Sequence, residues 1–424
     1  MILYKKIISY FGGLLVKITV VLIFFTNLIL STNCQSDKSK WEGIIEQEDG
    51  IFFIKNPNKP IFQEQPFHYE LEISIGESEN SDEYLFQEIG VVNIDHEDRI
   101  FISDWKESLI KIFDKDGNYL KTIGGKGHGP GEFERINTIQ FIKENKFAVF
   151  DGNMRRLTIF TGNGEYERSI LLNKINTMKL SIDSRNNIIA STINMEISTN
   201  LATTELQIFD GDQNIIKTIE TTEPASIFNP FLPFSQWILK NNDQIIYGYN
   251  KKYEFHIYDP SWNLITIISK DYSPIEITQK DKAAMLKQLS NSVKISVPKY
   301  FPAYRRITVA EDSWLIVQTW EKSKDEKQFY YDFFDDEGRY ICKNQIISRP
   351  IIWKKNSFYT IEEDDKGFQC VNRYKVTWRI KGDIVKCCGL SVPFGISLIF
   401  LKSCFLLKKQ GSQKPYKRRS LSYP

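Results

Sequence analysis

The sequence predicts an all-β fold, a six-bladed β-propeller of four-stranded antiparallel blades, and three observations carry that prediction. A phrase of strand, aromatic residue, turn and second strand recurs at near-constant spacing. Two further strand-like runs precede each copy. A strand-like run near the start of the chain matches the one strand that the last unit lacks. Repeats of about 40–50 residues with four strands each are the signature of propeller blades. One twisted sheet cannot bury both of its faces alone, but sheets packed around an axis can bury them against each other.

The phrase reads IKIFDKDGNYLKTI (110–123), LTIFTGNGEYERSI (157–170), LQIFDGDQNIIKTI (206–219), FHIYDPSWNLITII (255–268) and YDFFDDEGRYICKN (331–344). Its aromatic anchors are Phe113, Phe160, Phe209, Tyr258 and Phe334, and the first four lie 47, 49 and 49 residues apart. Asp-Gly and Asn-Gly pairs tolerate the positive φ angles of tight turns, so each phrase predicts a hairpin. The preceding pairs of runs begin with IGVVNI and RIFISD, and end with YRRITVA and SWLIVQTW.

The chain opens with Lys5 and Lys6, an apolar run centred on Ile18–Leu30, and then Ser31–Cys34 before a polar stretch. This order reads as an export signal over residues 1–34. Ending on a cysteine, it resembles a bacterial lipoprotein signal with Cys34 as the acylated residue, although Asn33 departs from the Gly, Ala or Ser usual before that cysteine. A plain signal peptide or an uncleaved anchor is the alternative. Residues 35–66 form a lead-in, and 67–380 form the propeller.

The interval from Tyr258 to Phe334 is 76 residues, longer than its neighbours. The excess contains ITQKDKAAMLKQL (Ile277–Leu289), in which Thr278 and Asp281 resemble a capping start and the Ala-Leu-Lys-Gln content favours helix. One helical insertion between blades 4 and 5 is expected. The sixth unit supplies only three strands, RPIIWKK, SFYTIEE and VNRYKV. ELEISIG (Glu70–Gly76) has the pattern of an outer strand, so an N-terminal strand is expected to close the ring on blade 6. Beyond residue 380 the chain becomes apolar and then basic over 381–424. A membrane segment, an unstructured tail and an out-of-frame artefact all fit that pattern, because Lys386, Pro393 and Lys402 interrupt the apolar run.

GGKGHGPGEFERI, followed by FAVFDGNMRRLTIFT, resembles the NHL-type repeat. WEGIIEQEDGIFFIKNPNKPIF (Trp41–Phe62) is similar to the lead-in of bacterial six-bladed β-propeller lipoproteins. The resemblance implies the fold and an exported location. It also marks one of Arg155 and Arg156, which stand where such repeats commonly carry Asn-x-Arg, as a structural bridge to a neighbouring blade through aspartates such as Asp104 or Asp151.

Chemistry is sparsely signalled. The net charge of +2 gives no reason to expect nucleic acid as a partner. No nucleophile elbow, zincin motif or Cys–His pair occurs, so no catalytic residue, metal ligand or cofactor is assigned. The glycine-rich loop (Gly124–Gly131) lacks the Gly-Lys-Ser/Thr ending of a phosphate loop and runs into a strand pattern. It is expected to be a blade-to-blade connection with Phe133 tucked inward. The candidate binding residues are His128, Arg135, Arg155, Trp237, Arg305, Arg306 and Trp353. Packing between blades is the competing reading for the tryptophans, and a structural bridge is the competing reading for the arginines. His96 and His256 are expected to be structural, and Cys342 and Cys370 offer one possible disulfide. The function expected is an exported, monomeric binding module for a protein, peptide or glycan, held at a membrane by a lipid anchor. Periplasmic or secreted location is the alternative. The runner-up function is a metal-dependent propeller hydrolase or lyase, since the resemblance extends to a lyase of amidated-peptide precursors and to lactonases.

Overall fold

The computed structural model describes residues 41–378 apart from 64–66, 77–80, 197, 200, 227–228, 288–294, 311–313, 325–327 and 347. The predicted signal with Cys34, and the tail over 381–424, lie outside the described residues.

Three strands come first: β1 (Ile44–Glu48), β2 (Ile51–Asn56) and β3 (Phe67–Ile75). Blade 1 comprises β4 (Ile89–Ile94), β5 (Ile100–Asp104), β6 (Leu109–Phe113) and β7 (Tyr119–Gly124). Blade 2 comprises β8 (Ile136–Ile142), β9 (Lys146–Asp151), β10 (Arg156–Thr161) and β11 (Tyr166–Leu171). Blade 3 comprises β12 (Thr177–Ile182), β13 (Ile188–Glu196), β14 (Leu201–Phe209) and β15 (Ile215–Thr221). Blade 4 comprises β16 (Ser235–Leu239), β17 (Ile245–Tyr249), β18 (Glu254–Tyr258) and β19 (Leu264–Lys270). The expected helix follows as α1 (Gln279–Leu286). Thr278 caps it, and Thr278 and Asp281 form a reciprocal capping box. Blade 5 comprises β20 (Arg306–Val309), β21 (Leu315–Lys322), β22 (Phe329–Phe334) and β23 (Tyr340–Ile346). Blade 6 comprises β24 (Pro350–Lys354), β25 (Ser357–Glu363) and β26 (Gln369–Trp378), with β3 as its fourth strand. The pairing of β3 with β26 is antiparallel, from Phe67 opposite Trp378 to Ile75 opposite Val371, and it closes the ring as the sequence predicts.

Burial follows the blade logic. The second strands are buried on both faces, as β5 shows along its whole length, because each blade packs between two others. Outer strands such as β7 alternate half-buried and exposed positions. Phe101, Phe133, Phe147 and Phe160 fuse blades 1 and 2, with the rings of Phe147 and Phe160 stacked at 5.1 Å. Each such ring stabilises the fold by roughly 1.5–3 kcal/mol on burial. Cys342 and Cys370 are both buried and no disulfide joins them.

The aspartate that follows the aromatic anchor has a structural reason. Oδ1 of Asp114 accepts from the backbone N–H groups of Asp116 and Asn118, at 2.9 and 2.8 Å. Asp210, Asp259 and Asp335 repeat the arrangement in blades 3, 4 and 5. These turns are wider than two-residue hairpins. The register shifts at the aromatic anchor, and a single later residue takes positive φ: Gly117, Gln213, Trp262 or Gly338. A carboxylate that supplies two acceptors lets Gln213 and Trp262 hold a conformation normally left to glycine.

The lead-in is part of the sheet system. β2 pairs in parallel with β19, and β1 pairs antiparallel with β2, so the sheet of blade 4 has six strands. The chain then runs along blade 5, where the N–H groups of Ile61 and Phe62 donate to the carbonyls of Tyr340 and Ile341. It enters blade 6 as β3. Residues 44–75 therefore strap the outer rims of three consecutive blades. Asn56 is the clasp. Its Nδ2 donates to the carbonyls of Ser269 (3.1 Å) and Gly338 (2.9 Å), and its Oδ1 accepts from Tyr340 N–H (2.7 Å) and the Trp41 indole (3.0 Å).

Polar ties also cross between blades. Asp332, fully buried, accepts from the hydroxyls of Tyr253 and Tyr340 and lies 3.3 Å from Lys270 Nζ. Burial draws the Lys270 pKa down, and Asp332 opposes that shift. Between blades 3 and 4, His256 Nδ1 meets Glu220 at 2.5 Å and Nε2 meets Glu254 at 3.2 Å. Burial alone would lower the His256 pKa, but these two carboxylates outweigh it and raise the value to about 9.

Two outcomes are expected. Asn56→Ala leaves buried backbone groups of two blades without partners and should lower unfolding stability by about 3 kcal/mol in urea titration. A loss under about 0.5 kcal/mol would show that the strap is not clasped there. His256 is protonated in the folded state up to pH about 9 but in the unfolded chain only to about 6.5. Its contribution is complete below about pH 6.5 and disappears as pH rises through about 9. Unfolding free energy should therefore decline across that window in the native protein, and His256→Gln should flatten that component of the slope.

Candidate functional site

The first strand of each blade runs along the axis, and its start lies opposite the end of the second strand, as Ile136 does opposite Asp151. The blade-to-blade connections and the turns between second and third strands therefore share one face, the entry face. His128, Arg135, Arg155, Arg305 and Arg306 all lie there. The α1 insertion and the long hairpins β13–β14 and β21–β22 rise on the same side. Lys322 Nζ, on β21, ties α1 down through Asp281 at 2.6 Å.

The glycine-rich loop is closed on itself. Gly125 N–H donates to Ser108, Gly127 N–H to Phe133, and Phe133 N–H back to Gly125. Gly129 N–H is taken by the Glu132 carboxylate at 2.8 Å. The loop's amides are spent internally rather than arrayed around an anion. Gly124 has φ of +84°, and a Cβ there would stand 2.7 Å from the Phe133 ring, which is fully buried. Arg156 explains the paired arginines, because its guanidinium donates to the carbonyls of His128 (2.9 Å) and Glu132 and so ties the loop to blade 2. Its partners are carbonyls and not the expected aspartates. Asp104 and Asp151 instead gather backbone N–H groups: Asp151 takes those of Glu134, Arg135, Asn153 and Met154. Arg155 projects outward with φ of +47°. The His128 side chain is exposed and lies 3.4 Å from Glu134. Arg135 lies over the Trp105 ring at 4.3 Å.

The aromatic candidates divide by burial. Trp237 is 1% exposed, and its indole donates to Ser191 Oγ at 2.6 Å. Trp353 is buried beside Trp314 and Trp378, in a crevice of about 20 Å³ between blades 5 and 6 on the opposite face. In the connections flanking blade 4, Phe231 and Tyr304 are fully buried, whereas Phe234 and Tyr300 are 45% and 42% exposed on the entry face. Of the histidines, His96 is exposed beside Glu97, and His256 is enclosed by its two glutamates. Among the described residues no three His, Cys, Asp or Glu side chains converge to hold a metal ion.

The axis itself is distinctive. The six inner strands, β4, β8, β12, β16, β20 and β24, contain no aspartate or glutamate, but they contain Lys179, Arg306 and Lys354. Inner-strand side chains bridge neighbouring blades: Asn93 donates to Ile139 O, Gln140 to Ile182 O, Lys179 to Trp237 O, Gln236 to Arg305 O, and Lys354 to Asp95 O. Among the described residues no such bridge joins blades 5 and 6. Arg305, Arg306 and Arg349 gather at that interface instead. Arg305 is sandwiched between Trp320 (4.9 Å) and Phe329 (4.2 Å), and Trp320 stacks on Phe301 at 4.0 Å. Arg306 has exposed surface, but it sits deep enough in the mouth that burial, then Arg349 and Arg305, draw its pKa down to about 10. Among the described residues none of the three guanidinium groups meets a carboxylate. The acids nearby are engaged elsewhere, Glu362 by Thr360 and Tyr374, and Glu321 by Lys343.

Arg349 was not among the sequence candidates. Its signal was positional: it immediately precedes the inner strand of blade 6, the place that Arg305 and Arg306 hold one blade earlier. Lys179 likewise read as one polar residue in an alternating strand.

A family model described as a 6-bladed beta-propeller matches residues 77–346. No curated protein matches the sequence. Among solved structures, a protein of Bacteroides fragilis NCTC 9343 described as exported is similar with a TM-score of 0.52 and 13% identity, covering 77% of this chain and 99% of that one. A luciferin-regenerating enzyme has a TM-score of 0.40 and 13% identity, covering 72% and 95% of the two chains. A virginiamycin B lyase of Staphylococcus aureus has a TM-score of 0.38 and 10% identity, covering 73% and 99%. At 13% identity the likeness to the Bacteroides fragilis protein is one of fold.

Proposed function

The chain belongs to this six-bladed β-propeller family, and we propose that it is an exported, membrane-anchored module that binds a protein, peptide or glycan on its entry face. The observation that carries this reading is the build of that face. Connections and long hairpins are raised over blades 3–5, Phe234 and Tyr300 are left exposed on it, and the mouth beneath is walled by inner strands free of carboxylates. Exposed aromatics beside a concave polar mouth suit a ligand that is gripped by stacking and by directed hydrogen bonds. The export pattern at the N-terminus supports the location, and the exported description of the Bacteroides fragilis protein agrees with it.

The full chain, screened on glycan and peptide arrays, should give saturable binding. Tyr300→Glu and Phe234→Glu should weaken it at least tenfold, and Lys115→Glu, in an opposite-face turn, should leave it unchanged. An array without a saturable ligand, or equal weakening by all three, overturns the reading. Labelled palmitate should be incorporated into the expressed chain and lost in Cys34→Ala. Incorporation that persists in that variant removes the anchor at Cys34.

A further inference from the structure

We propose that Arg305, Arg306 and Arg349, at the entry-face junction of blades 5 and 6, form an oxyanion subsite that takes the carboxylate of an organic acid or an inorganic oxyanion. The subsite rests on the binding reading above only for its place within a larger ligand.

Three observations converge on it. The first is the missing bridge: five blade junctions are tied by an inner-strand side chain that donates to the next blade's backbone. At the sixth, arginines occupy the starts of two adjacent inner strands. Guanidinium forks match carboxylate, sulfate and phosphate geometry, whereas neutral amides would suffice for bridging alone.

The second is the holding of Arg305. Its backbone N–H donates to Gln318 O at 2.8 Å, and Trp320 and Phe329 clamp its planar group. The two rings hold the guanidinium in place, and no hydrogen bond from it to a described residue competes with a ligand.

The third is charge. Three like charges that repel one another, with no carboxylate among the described residues to neutralise them, are relieved by an anion. The burial that disfavours the Arg305 and Arg306 cations also strengthens their attraction for one. Lys179 adds a further basic side chain on an inner strand. No strand lining the axis offers a competing acid.

Titration calorimetry of the full chain with sodium sulfate and with sodium D-glucuronate, and methyl glucoside as the neutral control, tests the subsite. Saturable binding of either anion at low salt is expected, weakened as salt rises, with none for the glucoside. Tighter glucuronate assigns an organic acid as the ligand, and tighter sulfate assigns an inorganic oxyanion. Arg306→Ala with Arg349→Ala should weaken binding at least tenfold, Arg306→Lys with Arg349→Lys less so, and Lys115→Ala, in an opposite-face turn, not at all. Melting curves by circular dichroism verify that each variant is folded. No saturable anion binding, or binding unchanged in the folded double alanine variant, overturns the subsite. Array ligands that bind the double variant as tightly as the native chain overturn the subsite and leave the binding reading standing. An array without ligands overturns the binding reading, and the sulfate titration still decides the subsite.

Discussion

Closing the ring is the constraint on which the rest depends. A blade with both faces apolar is stable only between two others, so six blades need six junctions. The sixth junction can form only if the last blade is completed. Here the antiparallel pairing of β3 with β26 completes it. Without that pairing, blade 6 lacks an outer strand and exposes an open edge. The strap extends the same solution. By adding β2 to blade 4 and running the chain along blade 5, it links the outer rims of three blades through backbone hydrogen bonds and the single buried amide of Asn56.

Closure at the rim leaves the axis free to vary. Side chains on inner strands are not needed to define the ring, and five junctions use them for short ties to the neighbouring backbone. The junction of blades 5 and 6 is served instead at the rim by the strap, and on the apolar side by Phe67, Phe333 and Trp353. Its axial positions are thereby released from structural duty. Three arginines accumulate there, beneath the entry-face connections, beside inner strands that carry no aspartate or glutamate.

The blades were legible because their signals are local. An aromatic anchor, an aspartate that caps the next turn, and alternation within six or seven residues all act over short stretches. Thr278 and Asp281 identified α1 for the same reason. The strap was not legible, although IFFIKN is a plain strand pattern, because its partner β19 lies far along the chain: Asn56 and Ser269 are 213 residues apart. Which of the two blade 2 arginines is structural was not legible: Arg156 is tied to backbone carbonyls, which leave no mark in a sequence, while Arg155 is exposed. Trp237 and Tyr300 could not be told apart by residue type. Which aromatic is buried depends on the blade against which it turns. Arg349 becomes a neighbour of Arg305 and Arg306 only once blades 5 and 6 are side by side.

The strap also has a consequence in time. A ribosome makes β2 and β3 first, yet β2 must wait for blade 4 and β3 for the end of blade 6; the contact of Asn56 with Tyr340 spans 284 residues. Folding that depends on such distant contacts is slow, because loop closure must precede any gain from pairing. Throughout synthesis the earliest strands remain unmatched, with Ile44, Ile45 and Phe52 exposed even in the finished molecule. For this chain the hazardous interval comes before the last blade emerges, when β2 and β3 can meet a strand of another copy. Ring closure is then a race between the chain's own end and its neighbours.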